Sequence, residues 1–312
     1  MTSYIVQSPV LLLIFNRPDL GLQVFNAIKA VKPSKLYIAA DGPRQNNTSD
    51  IELCNQARAI TQLVDWDCTV KTLFRTENKG CKVAVSSAID WFFEQEEEGI
   101  ILEDDCLPVT SFFFFCDKLL QHYRFDTRIH NITGTNLQNG QTWGDGSYYL
   151  SQYSNIWGWA SWRRVWKKYD ASLAKYTEEN AQSALENIFT DRFLIQDWIK
   201  IFNDLKQNKI DTWDYQLNFI TFFENGLCIT PNVNLIRNIG FRNDATHTFD
   251  PANHHADLAV GEIEHITHPI CMYPQKAADY YFIKKEFGLE ERWKRYNKKT
   301  KRFKRWVRGL FK

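Results

Sequence analysis

Over the first 136 residues the apolar positions fall into two alternating patterns. Short runs rich in Val, Ile and Leu read as strands at 10–16, 35–41, 69–74, 99–103 and 129–133. Between them, apolar residues at three- and four-residue steps predict helices at 20–30, 49–64, 82–94 and 111–123. This alternation implies βαβ units and a mostly parallel sheet flanked by helices, a Rossmann-like α/β fold. Four of the strand runs end in polar residues: Asn16 with Arg17, Asp41, Arg75, and the triplet Glu103, Asp104, Asp105. Open α/β sheets bind ligands outside the carboxyl ends of their strands, so these groups are expected at one mouth.

After about residue 140 the texture changes. An aromatic stretch, "GSYYLSQYSNIWGWASWRRVWKKYD", precedes helical patterns at 178–188, 192–207 and 215–225, then a strand "LCITP" and a polar loop "RNIGFRNDATHTFDPANHHAD". No internal repeat, low-complexity segment or Gly/Ser linker divides the chain. Residues 1–274 therefore read as one domain and 275–312 as a helical basic tail.

Composition adds two points. With 312 residues, 44% of them hydrophobic, the chain can bury a large core, which excludes a disordered protein. The net charge of +1 conceals an asymmetry, because residues 292–312 hold eleven Lys or Arg and no acid. The seven cysteines are scattered without a CxxC pair, so neither a disulfide framework nor a zinc knuckle is indicated, and a reducing cytosol fits. The first residues lack the basic region of a signal peptide, and no apolar run reaches membrane-spanning length. A cytoplasmic protein is expected.

The chemistry starts at "ILEDDCLP", residues 101–108, where three acids close an apolar strand. On a strand Glu103 and Asp105 point one way and Asp104 the other. Three carboxylates this close repel, and a cation that prefers oxygen ligands, Mn²⁺ or Mg²⁺, is the expected remedy.

Three ordered segments then carry a resemblance. "PVLLLIFNRPDL" with "AADGP", "GIILEDDCLPVTSFF", and "IWGWASWRRVW" followed by "WDYQLNFITFFENGLCITPNV" resemble GT-A fold glycosyltransferases. More narrowly they resemble the N-acetylglucosaminyltransferase I family, whose namesake begins complex N-glycan branching, and related bacterial nucleotide-sugar transferases. The likeness spans residues 9–245. It implies a nucleotide-binding half at 1–136, an acceptor and catalytic half at 137–274, and inverting, metal-dependent transfer from a nucleotide-diphosphate sugar.

On that resemblance Asp105 matches the direct metal ligand, Asp104 a ribose-binding position and Glu103 one near the donor sugar. Asp41 matches an acid set against the nucleotide base, which favours a uridine donor, although Asp-Gly-Pro is also a good turn. Arg17 resembles a first-loop arginine near the nucleotide, while 16–19 equally suits a helix start. Lys79 and Lys82 flank Gly80 at a helix start, which suits a diphosphate or a solvated cap. Asp214 matches the general base, with Asp211 as its neighbour and helix capping as the plain alternative. Of the tryptophans at 157, 159, 162 and 166, Trp159 is expected to line the sugar site and the rest to be mainly core. His247, with Asp244 to orient it, is a candidate for metal or phosphate contact in a donor-covering loop.

In the tail, Trp293, Tyr296, Thr300, Phe303, Val307 and Leu310 recur at helical spacing among basic residues. That pattern suits an amphipathic helix lying on an anionic membrane, here the inner leaflet, with a lipid-linked or polysaccharide glycan as acceptor. A nucleic acid or protein partner, or plain solvation, fits the charge as well. Two other functions share these motifs: a metal-dependent phosphohydrolase or nucleotidyltransferase, and a non-catalytic sugar-nucleotide-binding module.

Overall fold

The computed structural model describes residues 4–241 and 258–298. The first half runs β1 (Val10–Ile14), α1 (Pro18–Val31), β2 (Lys35–Ala40), α2 (Thr48–Arg58), β3 (Thr69–Phe74), α3 (Gly80–Gln95) and β4 (Glu98–Glu103). A 3₁₀ turn at Ala59–Leu63 follows α2. Then come β5 (Cys106–Pro108), α4 (Thr110–His122), β6 (Ile129–Thr133), β7 (Tyr148–Ser151), β8 (Trp159–Trp162) and α5 (Arg163–Trp166). The chain continues through α6 (Glu178–Ile188), α7 (Arg192–Lys206), α8 (Asp214–Phe223), β9 (Leu227–Pro231), β10 (Ile236–Asn238), α9 (Lys276–Glu286) and α10 (Leu289–Asn297).

Eight strands form one sheet in the order β3-β2-β1-β4-β8-β6-β9-β7. The pairs among β3, β2, β1 and β4 are parallel, as is β6 with β9, while β8 runs antiparallel between β4 and β6. Since β8 comes from the second half of the chain and sits inside the first half's strands, both halves share one sheet. The mixed α/β, Rossmann-like architecture expected from the alternating pattern is the one observed.

Strand β1 shows why. All five of its residues are buried; Val10, Leu12 and Ile14 face one core, and Leu11 and Leu13 face the other. An apolar strand of this kind is stable only where helices cover both faces. On the first face lie Val24, Phe25 and Ile28 of α1 with Phe112, Phe115 and Leu119 of α4; on the second lie Ile89, Phe92 and Phe93 of α3. A third core joins α6, α7, α8 and α9 around Trp198, Phe202 and Phe219.

The pattern missed β5, β7, β8, β10 and α5, which are three or four residues long and depend on their neighbours in space to form. The basic tail also differs from expectation at its start. Helix α10 ends at Asn297, and its aromatic face is spent on α7: Trp293 packs 4.8 Å and Tyr296 5.6 Å from the Phe193 ring. The Trp293 indole N–H donates to Asp191 at 2.6 Å, and Arg292 pairs with Asp197. These aromatics therefore belong to the protein's own packing and not to a membrane-facing surface. Residues 299–312, which carry the remainder of that expectation, lie outside the described residues. Among the described residues no helix is long and apolar enough to cross a membrane.

Candidate active site

Strand register gathers the site. Leu13 pairs with Glu103, Ile14 with Ala40, and Ala40 with Phe74. Parallel pairing thus brings Phe15–Asn16–Arg17, Asp41, Arg75 and Asp104–Asp105 out of the sheet at one level. Because β8 is antiparallel, with Trp159 opposite Ile101, the residues before it reach the same mouth from the other direction. Gly158 allows this approach: its φ is +61°, and a Cβ there would stand 2.4 Å from Ile236 Cδ1. Opposite, Trp213 stacks on Trp159 with ring centroids 5.7 Å apart and positions the start of α8, so Asp211, Thr212 and Asp214 form the far wall.

Between these walls is a cavity of about 400 Å³. Six acids line it, Asp41, Glu103, Asp104, Asp105, Asp211 and Asp214, against three arginines, Arg17, Arg44 and Arg75. No lysine or histidine among the described residues lines it.

The acid triplet is not left to repel itself. The Arg17 guanidinium spans both aspartates: Nη1 donates to Asp105 at 3.0 Å, and Nε and Nη2 donate to Asp104. Burial pulls the Arg17 pKa down, but Asp104 and then Asp105 outweigh it and hold the guanidinium charged. Burial pushes the Glu103 carboxyl well above the usual range, helped by Asp105 and Asp104 and opposed by Arg17. Asp104 is also raised, burial exceeding the pull of Arg17. Within the chain the Arg17 guanidinium thus eases the repulsion between Asp104 and Asp105.

Asp41 lines the cavity, yet its carboxylate is occupied. It accepts from the backbone N–H of Gly42 at 2.9 Å, from that of Lys79 at 3.0 Å, and from Asn78 Nδ2 at 2.9 Å. Its place is a brace between the end of β2 and the start of α3. The anion expected at the start of α3 is likewise supplied from within, since Asp211 accepts from Lys82 N–H at 3.3 Å. The side chains of Lys79 and Lys82 turn outward, to Glu77 at 3.1 Å and to Asn208 at 3.5 Å, and neither lines the cavity. The pull of a helix start on anions is real here, but aspartates satisfy it.

Asp214 stands at the first turn of α8 with Thr212 donating to it, and it lines the same cavity as the triplet. The tryptophans exchange places relative to expectation. Trp159 is fully buried beneath Trp213 and Trp166, whereas Trp157 lines the cavity. Trp159 is the first residue of β8 and is buried by the layer packed on that strand, whereas Trp157 precedes the strand at the mouth of the cavity. His247 and Asp244 lie outside the described residues.

Sequence reasoning overlooked Arg44, Asp50 and Asn78, and it assigned Trp157 to the core. Asp50 is fully buried and accepts from Arg44 Nε at 2.6 Å, Arg44 Nη2 at 2.9 Å and Asn16 at 2.9 Å. Its pKa falls to about 2, chiefly through the Arg44 hydrogen bonds. Locally it looks like any acid in the first turn of a helix. Cys81 also lines the cavity, but burial, with Glu103 adding, pushes its thiol up to about 12, so it is a poor nucleophile.

No family model matches the sequence, and no curated protein matches it. Among solved structures the chain is similar to a UDP-glucose pyrophosphorylase complexed with UDP-glucose, with 11% identity, TM-score 0.37, and 72% of this chain and 90% of that one covered. It is also similar to a 4-diphosphocytidyl-2C-methyl-D-erythritol synthase from Anaerococcus prevotii, with 8% identity, TM-score 0.34, and 62% and 83% covered. A third, HddC from Yersinia pseudotuberculosis, has 10% identity, TM-score 0.30, and 55% and 87% covered. Overlaps at these scores assign no chemistry to this chain.

Proposed function

We propose that the protein is an inverting, metal-dependent glycosyltransferase that moves a sugar from a nucleotide-diphosphate sugar, a uridine one by the sequence resemblance, to a glycan or lipid-linked acceptor. One observation carries this reading: Asp104 and Asp105 at the end of β4 and Asp214 at the start of α8 line a single cavity of about 400 Å³. A space of that size suits a sugar nucleotide, and its two acidic walls suit the two ends of an inverting displacement.

The donor set fits a hard cation. It is all carboxylate, and the excess of acids over arginines makes the cavity inhospitable to a diphosphate by itself. Among the described residues no group of three or more His, Cys, Asp or Glu side chains gathers as a metal cage. Asp105, with Asp104 beside it, would hold Mn²⁺ or Mg²⁺ together with donor phosphates and water, the usual manner for Mg²⁺. When bound, the cation supplies Lewis-acid stabilisation of the departing diphosphate. Asp214 would accept the proton of the attacking hydroxyl on the opposite face, Trp157 would offer an aromatic face to a sugar ring, and Trp213 and Trp159 would keep the Asp214 turn in place.

The test is a panel of nucleotide sugars, with and without Mn²⁺, followed by thermal unfolding and then by transfer to candidate acceptors. A metal-dependent stabilisation by one nucleotide sugar, and donor consumption that accelerates when an acceptor is added, are expected. No response to any nucleotide would overturn the proposal. Release of pyrophosphate from a nucleoside triphosphate and a sugar phosphate would instead establish attack at phosphorus.

A further inference from the structure

Arg17 engages the two carboxylates that the proposed cation would need. Its guanidinium bridges the two aspartates closing β4, and its side chain is 19% exposed against 4% for Asp104 and 14% for Asp105. Pro18 at the start of α1 fixes the loop that delivers it. The other cavity arginines are placed differently: Arg44 is tied to the buried Asp50, and Arg75 donates to Ser87 at 2.7 Å.

Two consequences follow for incoming ligands. A divalent cation arriving alone meets carboxylates already engaged by Arg17, with no cage of three or more His, Cys, Asp or Glu side chains gathered among the described residues. A diphosphate arriving alone meets six acids, with Arg17 already spent on two of them. Each ligand supplies what the other lacks, because phosphate oxygens complete the cation's shell and offer the guanidinium an alternative bidentate partner.

We propose that Arg17 is the protein's own placeholder cation: it holds Asp104 and Asp105 until a nucleoside diphosphate arrives, then passes from the carboxylates to the phosphates as a divalent cation takes its place. The inference rests on the proposed donor site and adds its loading rule, that cation and diphosphate enter as a coupled pair. Coupling of this kind is reciprocal, so each must raise the affinity of the other by the same factor.

The test measures Mn²⁺ binding to the full chain by titration calorimetry and by the electron paramagnetic resonance of free Mn²⁺, with and without UDP. In the unsubstituted protein UDP should raise Mn²⁺ affinity by roughly tenfold or more, within the usual range of such couplings. Arg17→Met should bind Mn²⁺ alone about tenfold more tightly than the unsubstituted protein, while UDP should add only about threefold or less. Arg17→Lys, whose single ammonium cannot span both carboxylates, should fall between them, and it serves if the methionine variant fails to fold. Equal nucleotide-free Mn²⁺ affinity in all three proteins would overturn the placeholder role. If UDP binds and only the arginine variants behave unexpectedly, this inference falls alone; if UDP binds to none of them under any condition, the donor-site reading falls with it.

Discussion

Gly240 rests on the Asp105 side chain: a Cβ at Gly240 would stand 2.4 Å from Asp105 Oδ2 and 2.8 Å from its Cβ. The contact follows from pairing, since β10 lies antiparallel to β5 with Asn238 opposite Cys106, and Ile239 N–H donates to the Asp105 carbonyl at 2.8 Å. A glycine just past a short strand thus sets the position of the carboxylate proposed to hold the cation. Gly240→Ala is expected to displace Asp105 and weaken Mn²⁺-dependent donor binding by about tenfold, roughly 1.4 kcal/mol. The melting temperature should change by only a few degrees. Calorimetry of the donor with Mn²⁺ checks this, and unchanged affinity would mean that Asp105 yields freely.

Asp214→Asn removes the proposed proton acceptor while leaving the hydrogen bond from Thr212 an oxygen to find. Turnover should drop by about 10²- to 10⁴-fold, the usual worth of a general base. Donor binding by thermal shift should be retained. Comparable loss of both would assign Asp214 a structural role at the helix start.

The two tryptophans separate stability from binding. Trp159 is fully buried, so Trp159→Ala should cost about 3–5 kcal/mol in urea unfolding. Trp157 lines the cavity, so Trp157→Ala should weaken sugar-nucleotide or acceptor binding more than it lowers stability. The opposite ranking would return Trp159 to the site.

Asp50 gives an acid-side prediction. Its pKa is lowered from 3.8 to about 2, so its contribution is fully present above pH 3.8 and is lost as the pH falls through 2. Asp50→Ala should remove that portion of the pH profile and leave Arg44 without its buried partner, at a cost of about 2 kcal/mol near neutrality.

His130 acts in a different window. Burial, with Lys168 and Arg164 adding, lowers its pKa from 6.5 to about 4. Between those values the unfolded chain takes up a proton that the folded chain refuses, so stability should fall as the pH drops from 6.5 towards 4. Its packing is tight, for a Cβ at Gly226 would stand 2.2 Å from His130 Nδ1. Chemical unfolding across that range, compared with His130→Leu, is the check; the variant's profile should be flatter.

Much of the fold was legible because the first half is governed by short-range periodicity. The apolar runs at 10–14, 35–40 and 99–102 and the amphipathic stretches between them need little context to declare themselves, and their bounds in the structure differ from the reading by a few residues at most. The acids closing β4 were visible for the same reason, as charges at the end of a buried strand. The short strands β5, β8 and β10 were not, because each is held by partners distant in sequence, as when Asn238 pairs with Cys106.

What the sequence determined by itself, then, was the alternating α/β frame and the mouth at which its polar strand ends would meet, since both follow from local spacing. Only the tertiary structure decided that Arg17 bridges Asp104 and Asp105, that Asp211 meets the start of α3, and that Trp157 instead of Trp159 lines the cavity. Those outcomes depend on which segments lie across from one another once β8 has entered between β4 and β6, and pairing over such separations is set by the packed layers, not by any stretch of neighbouring residues.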